Sequence, residues 1–203
     1  GKNKIDIGSD SDWEGGTSVT INNDVMSILV KLAGACYIYN TKNRFEGDKT
    51  YTISYNSSTN SGARAFVRFR NNDDSGWLTN SDVSLSSDWI YNSYYNGWFS
   101  TKNTDNPSFV VNAPTCLYVE VGIGFESRET EVTETIYNLQ VEEGSTATSF
   151  APYSNICPIS GIDEVEIGVS DGESEPTTTT IPLPSTLYGG DVDVTEGSGN
   201  STH

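Results

Sequence analysis

Residues 63–70 read Ala63-Arg64-Ala65-Phe66-Val67-Arg68-Phe69-Arg70. Small and apolar side chains fill the odd positions. Three arginines and one phenylalanine fill the even ones. Successive side chains of an extended strand point to opposite faces. The stretch is therefore predicted to be a strand that buries Ala63, Ala65, Val67 and Phe69 and turns Arg64, Phe66, Arg68 and Arg70 the other way. Residues 117–125 repeat the period. Leu117, Val119, Val121, Ile123 and Phe125 share one face, and Tyr118, Glu120, Gly122 and Gly124 share the other. Tyr51, Ile53 and Tyr55 mark a third strand of the same kind.

Further short apolar runs fall at Ser18–Ile21, Met26–Leu32, Cys36–Tyr39, Thr50–Asn56, Gly76–Leu78, Trp98–Thr101, Ser108–Asn112 and Thr133–Val141. Turn formers separate them, among them Asn22-Asn23-Asp24, Glu46-Gly47-Asp48, Asn60-Ser61-Gly62 and Asn71-Asn72-Asp73-Asp74. This spacing predicts an all-β fold, an antiparallel β-sandwich whose apolar faces meet between two sheets. Of the 203 residues 34% are hydrophobic and one is Met, which argues against a helical bundle. No run approaches the roughly 18 apolar residues of a membrane-spanning helix, so membrane insertion is not expected. The chain opens on Gly1 and shows no signal peptide, and is expected to be a mature or excised piece.

Charge excludes further classes. The formal net charge is −17, and residues 129–203 hold 14 of the 28 acids but no Lys or Arg. Nucleic acid is therefore not an expected partner, nor is an anionic membrane. The acidic half should repel itself near neutral pH unless its acids find hydrogen-bond donors. Three cysteines, Cys36, Cys116 and Cys157, form no metal-binding spacing, and their odd number argues against a disulfide scaffold. The sole histidine is His203, the last residue. Histidine-dependent nucleophilic catalysis and a histidine zinc site are thereby disfavoured. No motif supports a carboxylate-pair glycosidase, so an enzyme is not expected.

Texture changes after Tyr153. Residues 1–153 carry the periodic strands; residues 154–203 are acidic and contain Thr177–Thr180 and Ile181-Pro182-Leu183-Pro184. The second segment is expected to be an extended linker or arm. Its isolated short strands would be Val165–Val169 and Asp191–Val194.

Two stretches, Gly1-Lys2-Asn3-Lys4 and Leu139–Tyr153, resemble segments of the minor structural and tail proteins of phages and prophages that infect Gram-positive bacteria. The opening Gly1-Lys2-Asn3-Lys4 is similar to their G-K-N-[LK] start. Leu139–Tyr153 (LQVEEGSTATSFAPY) is similar to their L-Q-[LV]-E-x-G-x-x-A-T-x-[FWY]-x-P-Y signature. Pro158–Gly161 and Thr186–Gly197 resemble segments that follow it there. Phe45 to Val141 resembles a jelly roll of carbohydrate-binding-module type, with Glu46–Tyr55 (EGDKTYTISY) as its G-x-x-Y-T-[LI]-S-[FY] strand. The resemblance implies a tail-associated virion protein, extracellular once assembled. Other virion proteins would be its neighbours, and a homotrimer a possible assembly. Many such modules hold calcium through an Asp in the final strand. Here Asn138 stands in Ile136-Tyr137-Asn138-Leu139, and an amide oxygen binds calcium more weakly. No cofactor is required by the sequence. Calcium is the one candidate, with Asp10, Asp12, Glu14 and Asn138 as oxygen donors.

Two constellations could recognise a host cell-surface polysaccharide. Residues 89–99 concentrate Trp89, Tyr91, Tyr94, Tyr95, Trp98 and Phe99 among Asn92 and Asn96. Aromatic planes stack on the C–H faces of sugars, and amides bind hydroxyls; the competing reading is that half of these rings are core or interface packing. Arg64, Arg68 and Arg70, with Tyr118 and Glu120 from the second strand, could bind hydroxyls or an acidic group. Ion pairs with neighbouring acids explain those arginines too. The expected role is a non-enzymatic structural or adhesion module. The alternatives are a purely architectural spacer and an accessory glycan-binding domain of a cell-wall hydrolase.

Overall fold

The computed structural model describes residues 2–58, 62–93, 97–101, 108–154, 164–169 and 177–182. The chain divides into two compact units on either side of Ser154 and Asn155. The N-terminal unit is a sandwich of two antiparallel sheets. The first sheet orders its strands as β1 (Trp13–Gly15), β4 (Tyr37–Asn40), β10 (Tyr118–Phe125), β6 (Ala63–Arg70), β8 (Trp98–Thr101) and β7 (Trp89–Asn92). The second orders them as β2 (Val19–Asn22), β3 (Val25–Val30), β11 (Val132–Glu143), β5 (Thr50–Ser57) and β9 (Ser108–Asn112). From β3 to β6, and again from β9 to β11, the chain alternates between the sheets, so consecutive strands face each other across the core.

The period-two faces meet as their sequence predicts. Ala65, Val67, Phe69, Val119 and Ile123 are fully buried from one sheet, and Met26, Ile28, Ile53, Ile136 and Val141 from the other. Each such Val, Ile, Met or Phe side chain contributes about 1.5–3 kcal/mol. Asn23 and Asp24 both take positive φ (49° and 61°) and join β2 to β3 in a two-residue hairpin loop.

Some boundaries differ from expectation. Leu117 lies just outside β10 and is exposed; its N–H still donates to Arg70 O (2.8 Å), but the β10–β6 register begins only at Tyr118, opposite Arg70. Gly76–Leu78 is no strand; Trp77 makes one bridge to Arg70 after a tight reversal at 71–76. Trp13–Gly15 and Trp89–Asn92 are edge strands where the sequence showed a lead-in segment and a loop-like aromatic stretch. In the C-terminal unit β12 (Glu164–Val169) is not isolated. It pairs antiparallel with β13 (Thr177–Pro182), the threonine run. Asp191–Val194 lies outside the described residues.

The N-terminus and the segment after β11 lock together around a bulge. Between Tyr137 and Gln140 the β11–β5 register slips, with Asn138 in the left-handed region at φ 54°. Buried Asn3 clamps the strand beyond it. Its Nδ2 donates to Leu139 O (3.1 Å), and its Oδ1 accepts from Val141 N (3.1 Å) and Ile5 N (3.2 Å). Gln140 Nε2 donates to Glu142 Oε2 (2.7 Å) and to Thr148 O (3.3 Å), while its Oε1 accepts from Ala151 N (2.8 Å). Glu142 also accepts from Thr148 N (3.0 Å) and from Thr148 Oγ1. The two stretches that carry the resemblance, 136 residues apart at Asn3 and Leu139, are one hydrogen-bonded unit. Among the described residues no buried side-chain nitrogen or oxygen lacks a partner.

Candidate functional site

The solvent side of the six-stranded sheet carries a second cluster, separate from the core. Strand pairing builds it row by row. Glu120 lies opposite Arg68, and Tyr118 opposite Arg70. Gly122 sits between Phe66 on one side and Tyr39 on the other. A Cβ on Gly122 would stand 2.6 Å from Ile38 O, so only glycine lets β4 approach this closely. That approach brings Tyr37 and Tyr39 to the cluster. Trp98 arrives from β8 and is 1% exposed although it points away from the core. Its ring meets Tyr39 (5.4 Å), Tyr37 (5.9 Å) and Phe66 (6.4 Å).

Arg68 stands at the centre. Its guanidinium lies 3.7 Å from the centroid of Trp77, 4.4 Å from that of Trp98 and 4.6 Å from that of Tyr39. Its Nε and Nη2 both reach Glu120 Oε2, at 2.7 and 2.6 Å. The side chains of Arg68 and Glu120 are 12% and 6% exposed, so the pair is largely desolvated and held by hydrogen bonds and ring faces. Tyr39 donates its hydroxyl to Glu14 Oε2 (2.9 Å). Burial, and then the Glu14 carboxylate, raise the Tyr39 phenol above its ordinary value, so it remains a donor at neutral pH.

One end of this belt is open to solvent. Trp77 and Tyr118 are half-buried and meet edge to face at 6.1 Å, forming a corner. Arg44, exposed, lies 4.2 Å over the Tyr118 ring. Arg70 lies 4.9 Å from the Trp77 centroid and bonds Asp74 through Nε (2.5 Å). An aromatic corner flanked by two guanidinium groups can stack a sugar ring and bind its polar substituents.

The structure distributes the sequence-predicted residues unevenly. Arg68, Arg70, Tyr118, Glu120 and Trp98 come together in this belt. Arg64 shares the face but is engaged elsewhere, donating to Thr101 O (2.8 Å) and pairing with Glu126. Trp89 and Tyr91 point to the opposite side of the same sheet. Trp89 is buried against Phe109 and donates Nε1 to Val110 O (2.8 Å), and Tyr91 packs on Phe99 at 5.1 Å. Residues 89–99 therefore do not present one surface: β7 and β8 are strands, and alternation divides their rings between two faces. Tyr94 and Tyr95 lie outside the described residues, as do Asn96 and Cys157.

The calcium candidates are occupied by local bonds. Asp10 accepts from Ile21 N (2.6 Å), Asp12 from Ser9 N (2.8 Å), and Glu14 from Tyr39. Asn138 is the bulge residue, and its Nδ2 donates to Asn56 Oδ1 (3.2 Å). Among the described residues no three His, Cys, Asp or Glu gather in a way that could hold a metal ion. Cys36 and Cys116 are buried free thiols.

Sequence reasoning missed Trp77, Tyr39 and Arg44. Tyr37 and Tyr39 do alternate with Ile38, a usable signal. Trp77 follows Asn71-Asn72-Asp73-Asp74, a turn that returns it to β6 beside Arg70. Nothing local marks Arg44, which reaches Tyr118 only because Phe45 bridges Val119.

No protein-family model and no curated protein matches the chain. Among solved structures it is similar to the enzymatically active domain of tailspike protein 4 of bacteriophage CBA120, with 16% identity and a TM-score of 0.39. That alignment covers 70% of this chain and 21% of the tailspike chain.

Proposed function

We propose that this chain is a non-enzymatic adhesion module of a phage tail-associated protein, carried on the virion, with host-surface glycans as its ligand class. The motif resemblance at Gly1–Lys4 and Leu139–Tyr153 supports the tail association. The observation that carries the binding role is the solvent-facing corner of Trp77 and Tyr118, flanked by Arg44 and Arg70. Glu120, the buried carboxylate nearby, is committed to Arg68, which favours recognition over general acid–base work. A glycan array of bacterial surface polysaccharides, probed with wild type, Trp77→Ala and Tyr118→Ala, tests the reading. Each variant should lose about 2 kcal/mol of binding with its fold intact. Wild-type binding that both variants retain would put the site elsewhere.

The second reading is an architectural spacer. The closed network of Asn3, Gln140, Glu142 and Thr148 favours it, because these four polar side chains find their partners within the chain. An array on which wild type binds nothing selects the spacer.

A further inference from the structure

Resting on the reading that this corner binds a glycan, we propose that its ligand is anionic: a sugar unit bearing an oxyanion, carboxylate or phosphate, that docks on Arg44 beside the Tyr118 and Trp77 rings. The argument comes from how the arginines are satisfied. Four of the chain's five arginines gather on or over one sheet face, in a chain of net charge −17. Three of them have carboxylate partners there: Arg64 with Glu126, Arg68 with Glu120, and Arg70 with Asp74. Among the described residues no carboxylate lies within ion-pair distance of Arg44. Its guanidinium lies instead over the Tyr118 ring, whose face offers no acceptor oxygen to the N–H groups.

The position is also pre-set. Phe45 is buried and exchanges backbone hydrogen bonds with Val119 (2.9 and 2.7 Å), which fixes the backbone next to Arg44. Stacking on Tyr118 restrains the side chain further, so less rotamer freedom remains to be lost when a ligand docks. A neutral sugar offers the N–H donors of Arg44 only uncharged hydroxyl acceptors. A carboxylate or phosphate accepts from two of those donors in a charge-assisted fork, while the sugar ring uses the aromatic corner. Long-range repulsion from the acidic chain is screened beyond about 8 Å at physiological ionic strength, so the local cation decides.

The test uses the full chain and an array holding neutral, uronic-acid and phosphodiester-linked polysaccharides. Titrations with oligogalacturonate, its methyl ester and poly(glycerol phosphate) follow. At least one charged probe should bind about tenfold or more tighter than the neutral methyl ester. Arg44→Gln should erase that difference, Arg44→Lys should restore part of it, and added salt should weaken it. Whichever charged probe binds identifies carboxylate or phosphate as the source. Binding confined to neutral glycans, or equal binding of acid and ester unchanged by Arg44→Gln, overturns the anionic preference and leaves the adhesion reading standing. Binding to nothing on the array overturns both. Melting temperature confirms that each variant is folded.

Discussion

Two regions of this molecule bury charged or strongly polar side chains, and they do so in opposite ways. Around Asn3, Gln140 and Glu142 nearly every partner is backbone or a neighbouring side chain of the same segment. The network closes on itself and joins the first residues to the end of β11. On the outer face of the six-stranded sheet, Arg68 and Glu120 come from paired strands, and ring faces replace backbone as the packing. That cluster is closed at Trp98 but open at Trp77, Tyr118 and Arg44. The first arrangement fixes the fold. The second spends buried charge on holding a surface in shape, and leaves donors for something else.

The largest expected effect separates pairing from packing on that face. Glu120→Ala leaves the Arg68 cation desolvated without its counter-charge and should cost about 3–5 kcal/mol in chemical unfolding. Replacing both partners, Arg68→Met with Glu120→Leu, should cost far less, since well-packed apolar pairs often match buried ion pairs. Equal losses from the single and double variants would mean that the rings, and not the pair, organise the face.

Next in size is the clamp. Asn3→Ala strips partners from Ile5 N, Val141 N and Leu139 O, and should cost about 2–3 kcal/mol. Hydrogen exchange should accelerate at Val141 while Glu120 and Val121 stay protected. Uniform acceleration across both regions would break the separation drawn between them.

The smallest effect is a pH dependence confined to the clamp. Desolvation raises the Glu142 carboxyl, but hydrogen bonds from Thr148 and Gln140, with Lys2 at 3.9 Å, outweigh it, and the net value lies below the ordinary carboxylate value. A group depressed in the folded state stabilises above its unfolded pKa and loses that contribution as pH falls through its folded one. The clamp should therefore be intact above about pH 4.5 and loosen below it. The Thr148 amide should exchange faster there, and Glu142→Gln should flatten the response. A clamp that tightens in acid would reverse the sign. Glu142 thus follows the course in which acids of the residues 129–203 segment find donors, rather than that of simple self-repulsion.

Much of the fold was legible in residue order. Ala63–Arg70, from its alternation, and Ser108–Asn112, from its apolar run, are strands with the bounds the sequence predicts, and the Asn23-Asp24 hairpin follows from turn chemistry. The candidate site was half legible. Arg68, Arg70, Tyr118 and Glu120 could be assigned to one kind of face, because period two is a local property. Trp89 and Tyr91 misled, because composition counts rings in a window without saying which side each one takes.

The sequence by itself determined the strand faces and the acidic tail, which depend on spacing within a few positions or on composition along one segment. That Asn3 would clamp Leu139 and Val141 was decided by the tertiary structure. Only the tertiary structure decided that Arg68 would lie among Trp77, Trp98 and Tyr39, and that Arg44 would stand over Tyr118 with no carboxylate partner among the described residues. Those neighbours come from β4, β8 and two loops. Which strands lie side by side, and in what register, is set by how two whole sheets close over a common core, and no single strand's pattern records it.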